Sequence, residues 1–192
     1  MPANTPIKIC SRASILMGGS PISSFSEGTA ESDVVDAIYE DMARESLTST
    51  RWRFATNQQI LNRLQAKPVG RFSSSYQMPS DLLMLSAVTV GGSPIEFDTY
   101  GRQVFCDASD PDVLVADYIF RADEANWPPF FTLTVELQVA SMLAISVARD
   151  PSLAQMLEQK AERHMMKARR LDSQQQTTRK LNTSRFIAQR RS

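Results

Sequence analysis

Few side chains in this sequence are of a type and spacing that could do chemistry. His164, the one histidine in 192 residues, stands in the basic run HMMKARR with no acidic orienting group or nucleophile beside it in sequence. A general base needs both, so the expectation is a plain surface or interface histidine. Gly18, Gly19 and Ser20 resemble the start of a phosphate-binding turn but lack its lysine and its preceding strand, and a helix stop is read there instead. Asp107, Asp110 and Asp112 bracket Pro111 without the later bidentate glutamate of a calcium loop, which favours a solvated turn. Cys10 and Cys106 have no partner spacing for zinc or for a disulfide framework, so they read as buried or half-buried thiols in a reducing compartment. There is no GxSxG, no phosphate loop and no metal-ligand cluster. The expectation is a chain without enzymatic activity and without a cofactor.

Two polar groups remain. Arg121, Asp123, Glu124 and Trp127 crowd one short stretch, where an arginine could pair a carboxylate and a tryptophan could anchor an interdomain or subunit contact. The plainer alternative is that Asp123 or Asn126 caps the helix that follows while Trp127 packs beneath a sheet. The second group is the C-terminal tail. From Lys160 onward ten cations face only Glu162 and Asp172, a net of about +8 in a chain whose formal charge is zero. An acidic body therefore carries a basic end. The last segment, DSQQQTTRKLNTSRFIAQRRS, has little to bury except Leu181, Phe186 and Ile187, and alone it should be disordered. It could grip nucleic acid through phosphates, lie on a membrane surface, or wrap a neighbouring protein by ordering on it. Its cations are scattered and no strong apolar face accompanies them, which argues against the membrane.

The elements that must position these groups follow from periodicity. The stretch from Trp127 to Arg149 opens with Pro128 and Pro129, which suit a first helical turn. Phe131, Leu133, Val135, Leu137, Val139, Met142, Leu143, Ile145 and Val147 then go almost round the helix, as in a buried one. Its roughly 34 Å would also cross a bilayer, but Glu136 in the middle makes a core helix the better reading. A first helix starts near Pro6 and stops at Gly18 and Gly19. After a serine-rich loop a second runs from an N-cap at Thr29 to about Leu47. Trp52 and Phe54 alternate with Arg51 and Arg53, the period of an extended segment. From Asn57 to Phe120, short β-branched and aromatic runs alternate with turn signals every 8 to 12 residues or so, as in a small antiparallel sheet. Gly91 with Gly92, and the Tyr100 to Gly101 step, read as hairpin turns. A fourth helix begins at Pro151. The N-terminus lacks the uninterrupted apolar run of a signal peptide, because Lys8 and Arg12 break it.

The predicted architecture is α+β and mainly α: a four-helix bundle with an inserted small antiparallel β domain and an extended C-terminal tail. Residues 1–56 and 121–171 would form the bundle, 57–120 the β-rich insert and 172–192 a basic arm.

Taken in order, ICSRASILMGGSPISSFSEGTAESDVVDAIYEDMARESLTSTRWRFAT, YQMPSDLLML and DYIFRADEANWPPFF carry a resemblance. The chain resembles the head-to-tail adaptor proteins of short-tailed bacteriophages, the tail tubular protein A family, from Ile7 to about Arg170. The more specific pieces are the loop from Pro21 to Thr29, the Trp52 to Ala55 step, the Pro79 and Asp81 turn, and Glu124 to Phe131. That resemblance implies a virion subunit, assembled in the host cytoplasm, that forms a ring of usually twelve copies between the portal protein and the tail nozzle protein. Double-stranded DNA would pass transiently through the lumen, and tail fibres are a further possible partner; no membrane is involved. It also implies a C-terminal arm that docks on the portal, here Arg179, Lys180, Leu181, Arg185, Phe186, Ile187, Arg190 and Arg191. The runner-up is a nucleic-acid-binding protein that uses the same basic tail.

Overall fold

Apolar on nearly every side, the helix Pro129–Ser146 (α3) must be enclosed by the rest of the chain. In the computed structural model, which describes residues 4–109 and 111–175, Phe131, Val135, Leu137, Val139, Ala140, Leu143 and Ala144 are fully buried. Three other helices pack on α3: α1 (Pro6–Leu16), α2 (Ala30–Thr48) and α4 (Pro151–Ser173). Their starts are fixed by local chemistry. Thr5 caps α1, and Pro6 occupies its first turn. Thr29 and Ser32 close a reciprocal capping box at α2. Asp150 accepts hydrogen bonds from the Ser152 and Leu153 amides, both at 3.0 Å, at the start of α4. The glycines expected to stop the first helix do so, the Gly19 amide bonding back to the Ser14 carbonyl at 2.9 Å.

Seven strands lie between α2 and α3 among the described residues: β1 (Thr56–Ile60), β2 (Ser74–Gln77), β3 (Leu82–Val90), β4 (Ser93–Pro94), β5 (Phe97–Tyr100), β6 (Gln103–Cys106) and β7 (Leu114–Phe120). They form two antiparallel sheets, β1-β7-β3-β4 and β2-β6-β5. Both hairpin turns read from glycine are present. Gly91 and Gly92, at φ 56° and 82°, join β3 to β4 with the doubly left-handed backbone that a two-residue loop favours. Gly101, at φ 59°, turns β5 into β6.

The expected four-helix bundle with one small β insert is not what forms. The fold is α+β, with four helices and two antiparallel sheets. Two physical reasons account for the difference. Because α3 has no polar face, it acts as a hub with α1, α2 and α4 arranged around it, while α2 turns also toward β3 and β7. And a sheet with one apolar face needs a cover. The second sheet supplies it: Tyr76, Val104 and Cys106 from one sheet join Val88, Leu114 and Ala116 from the other in a core separate from that of the helices. Smaller differences follow the same logic. Trp52 is extended, but Arg53–Ala55 closes a 3-10 turn that leads into β1. The end of α4 reaches Ser173, so Asp172, read as the first residue of the arm, is instead buried and accepts the Arg53 amide at 3.2 Å.

α3 is long and apolar enough to cross a membrane by length and composition, yet more than half of it is buried inside the chain. Its mid-helix Glu136 is 6% exposed and meets Arg12 of α1 at 2.6 Å. Burial raises the Glu136 carboxyl above the usual range, and Arg12 only partly opposes this. A group that binds its proton more tightly when folded adds stability below the ordinary glutamate pKa and loses it as pH rises through the raised value. Glu136→Gln cannot ionise, so its stability relative to the parent chain should climb as pH rises above the ordinary glutamate range and through the raised value. Urea midpoints across that range test this; a variant that instead loses ground as pH rises would show that the Arg12 pair outweighs desolvation.

Candidate functional site

The sequence is densest in convergent polar groups where β7 ends and α3 begins. β7 delivers Arg121 to this corner, and a 3-10 turn over Glu124–Asn126 places Glu124 three residues on. All three nitrogens of the arginine fork donate. Its Nε and Nη2 donate to the Glu40 carboxylate of α2 at 2.9–3.2 Å. Nη2 also donates to Glu124 Oε1 at 2.5 Å, and Nη1 to the Ala122 carbonyl at 2.7 Å. Glu124, 7% exposed, accepts a further hydrogen bond at 2.9 Å from the Tyr39 hydroxyl. Glu40 in turn pairs with Arg44 at 2.6 Å. Two cations and two carboxylates thus form one chain, and its inner end is out of water.

The shifts fit this geometry. Burial alone would depress the Arg121 pKa, but the hydrogen bonds that it donates to Glu40 and Glu124 outweigh burial and hold the guanidinium charged. Hydrogen bonds from Arg121 hold the Glu40 carboxyl below the usual range. Burial, reinforced by the Glu124 charge, raises the Tyr39 hydroxyl and pushes the Cys10 thiol up to about 12. Neither is an available nucleophile at neutral pH. Cys106, also buried and free, is pushed up to about 11 by burial.

Trp127, 4% exposed, donates from Nε1 to the Ala122 carbonyl at 2.9 Å, and the Arg121 guanidinium lies 5.5 Å from its ring centre. Behind it stands an aromatic cluster. Phe131 meets Trp127 edge-on at 4.8 Å, Trp52 at 5.1 Å and Phe54 at 4.9 Å. Trp52 is itself held by Nε1 to the Ser46 carbonyl at 2.9 Å. On the sheet side, the Arg121 amide reaches the Asp81 carbonyl at 3.3 Å, and Tyr118 donates to the Asp81 carboxylate at 3.2 Å.

Three of the four residues singled out in the sequence, Arg121, Glu124 and Trp127, therefore come together, but Asp123 faces outward and exposed. Neither Asp123 nor Asn126 caps α3. Pro128 holds the N-cap position with no side-chain bond, and Asp123 precedes the 3-10 turn without capping it. Tyr39, Glu40 and Asp81 complete the corner as partners that local sequence does not identify. Tyr39 carried the one usable signal, an aromatic hydroxyl at a position flanked by the apolar stripe of α2, where it would need a buried partner. Of the other candidates, Asp107 and Asp112 accept backbone amides from Ser73 and Ser109 at 2.8 and 2.7 Å, while Asp110 lies outside the described residues. Among the described residues no group of three His, Cys, Asp or Glu side chains could hold a metal ion. The arm residues Arg179, Lys180, Leu181, Arg185, Phe186, Ile187, Arg190 and Arg191 also lie outside the described residues.

The corner fixes the angle at which the sheet hands the chain to α3, with α2 tied to both. No protein-family model matches the chain, and no curated protein matches it either.

Proposed function

We propose that this chain is a structural, non-enzymatic subunit of a head-to-tail adaptor ring in a short-tailed bacteriophage, standing between portal and tail nozzle and lining part of the DNA conduit. One observation supports the reading above others. The four pieces of sequence that carry the resemblance, far apart along the chain, meet at one corner. The serine-rich loop brings Phe25 against Tyr39, with ring centres 6.3 Å apart; Tyr39 bonds Glu124; Trp52 packs on Phe131; and Asp81 receives the Arg121 amide. A subunit that must transmit force between capsid and tail gains from a braced junction of this kind, because a packed, hydrogen-bonded core deforms little. In this reading copies associate head-to-tail into a closed ring, twelve by the family resemblance, and the C-terminal arm orders on the portal.

Asp172 belongs to the folded body, so the informative truncation starts after Gln175. Deleting residues 176–192 should leave the melting temperature of the body close to that of the full chain and abolish attachment to portal rings purified from virions. Co-sedimentation of the two proteins reads the result. Attachment at full affinity without those residues would sink the arm. Tight capture of duplex DNA by the full chain, falling steeply with salt, would instead favour the nucleic-acid-binding alternative.

A further inference from the structure

Two exposed helix faces carry opposite charge. On α4, Lys160, Arg163, Lys167 and Arg170 are all exposed. Their spacing of three, four and three residues puts them on one strip about 15 Å long. No carboxylate among the described residues pairs with any of them. Met156 and Met166, 56% and 59% exposed, flank the strip. Glu158 falls on the far side of the helix and Glu162 about 80–100° round it from Arg170 and Arg163, and neither pairs with the strip among the described residues. On α2, Asp33, Asp36, Asp41 and Glu45 are exposed and unpaired among the described residues. Glu40 and Arg44 on the same side are already satisfied by Arg121 and by each other. These four acids spread over about 180° of α2, the outward half of the helix, and from Asp33 to Glu45 they run about 18 Å.

We propose that the cationic strip of α4 on one copy docks against the acidic face of α2 on the next copy of this chain. The proposal deepens the ring reading and rests on it. Three observations select a second copy as the occupant. The cationic strip and the acidic outward half of α2 are of similar length and oppose in charge. Each is free of partners within its own chain among the described residues. And they are different surfaces of one chain with zero formal net charge, so pairing them is heterologous and repeats from copy to copy, as a ring requires. A DNA partner for α4 would leave the α2 face without a counterpart. Single exposed ion pairs contribute little, but several opposed charges together set orientation and exclude wrong registers, and the methionines add apolar contact at the edge.

Sedimentation of the full-length chain over a concentration series, at about 0.1 M and about 1 M salt, tests this. The parent chain should self-associate at low salt and dissociate at high salt. The triple variants K160E/R163E/K167E and D33K/D41K/E45K, each with the parent's far-ultraviolet circular dichroism, should each lose self-association about a hundredfold. Mixed in equal amounts, they should recover it, because each then offers the face the other lacks. A parent chain that stays monomeric at low salt, a reversed variant that assembles like the parent, or a mixture that fails to recover would each overturn the contact. So would an α4 reversal that spares assembly and instead abolishes retention on duplex DNA. Portal attachment, read separately through the arm, keeps the two ideas distinct: assembly that ignores the reversals sinks this contact alone, whereas portal rings that ignore the full chain sink the adaptor reading.

Discussion

Phe131→Ala should lower the unfolding free energy by about 3–5 kcal/mol, the largest loss expected from any single truncation in the helical core. The side chain is fully buried at the first turn of α3. Three rings pack on it, from Trp52, Phe54 and Trp127, so its removal takes away transfer energy, leaves a cavity and breaks three aromatic contacts at once. The walls cannot collapse easily. Trp52 is pinned to the Ser46 carbonyl and Trp127 to the Ala122 carbonyl. Urea unfolding should show a lower midpoint with an unchanged slope, meaning lost stability without a change in the surface exposed. Phe131→Leu, which keeps most of the volume, should cost clearly less. A loss below about 1 kcal/mol for the alanine variant would mean that the cluster does not hold the corner.

The same cluster shows how far local sequence patterns reach. The buried character of α3 was readable because apolar residues go round it, and its start because Pro128 and Pro129 stand together. Gly91 with Gly92 marked its hairpin because few other residues accept that backbone. Alternation of Trp52 and Phe54 with arginines misled. It matched an extended strand, but the Trp52 indole bonds back to Ser46 and the chain closes a 3-10 turn instead. The second sheet was invisible for a different reason. β2, β5 and β6 are four residues each, and β2 pairs with β6 across a long sequence separation. Periodicity tells which residues alternate, never which strand accepts them. Counting helices likewise does not give their packing, and so a hub around α3 was read as a bundle. At the site, composition pointed to Arg121, Glu124 and Trp127, while Tyr39 and Glu40 sit more than 80 residues away in sequence. Only the fold could supply those partners.

Arg121→Ala should cost about 2–3 kcal/mol, somewhat less than the ~3–5 of a fully buried pair, because the Arg121 side chain keeps 20% exposure. The cost is not the worth of one ion pair. Without the guanidinium, Glu124 is left as a buried carboxylate whose remaining donor is Tyr39, the Ala122 carbonyl loses one of its two donors, and Trp127 loses the cation over its ring. Glu40 suffers less, since it is half exposed and retains Arg44. A double-mutant cycle separates these effects. Glu124→Gln removes the buried charge but keeps a polar side chain, so the double variant R121A/E124Q should cost less than the sum of the single changes. The shortfall measures the coupling between Arg121 and the Glu124 charge, freed of the desolvation cost that each group bears alone. Strict additivity of the two changes, read from urea midpoints, would show that Arg121 acts through Glu40 and Trp127 alone. In that case the corner would be braced from the α2 side, and Glu40→Ala, not Glu124→Gln, would couple to Arg121→Ala.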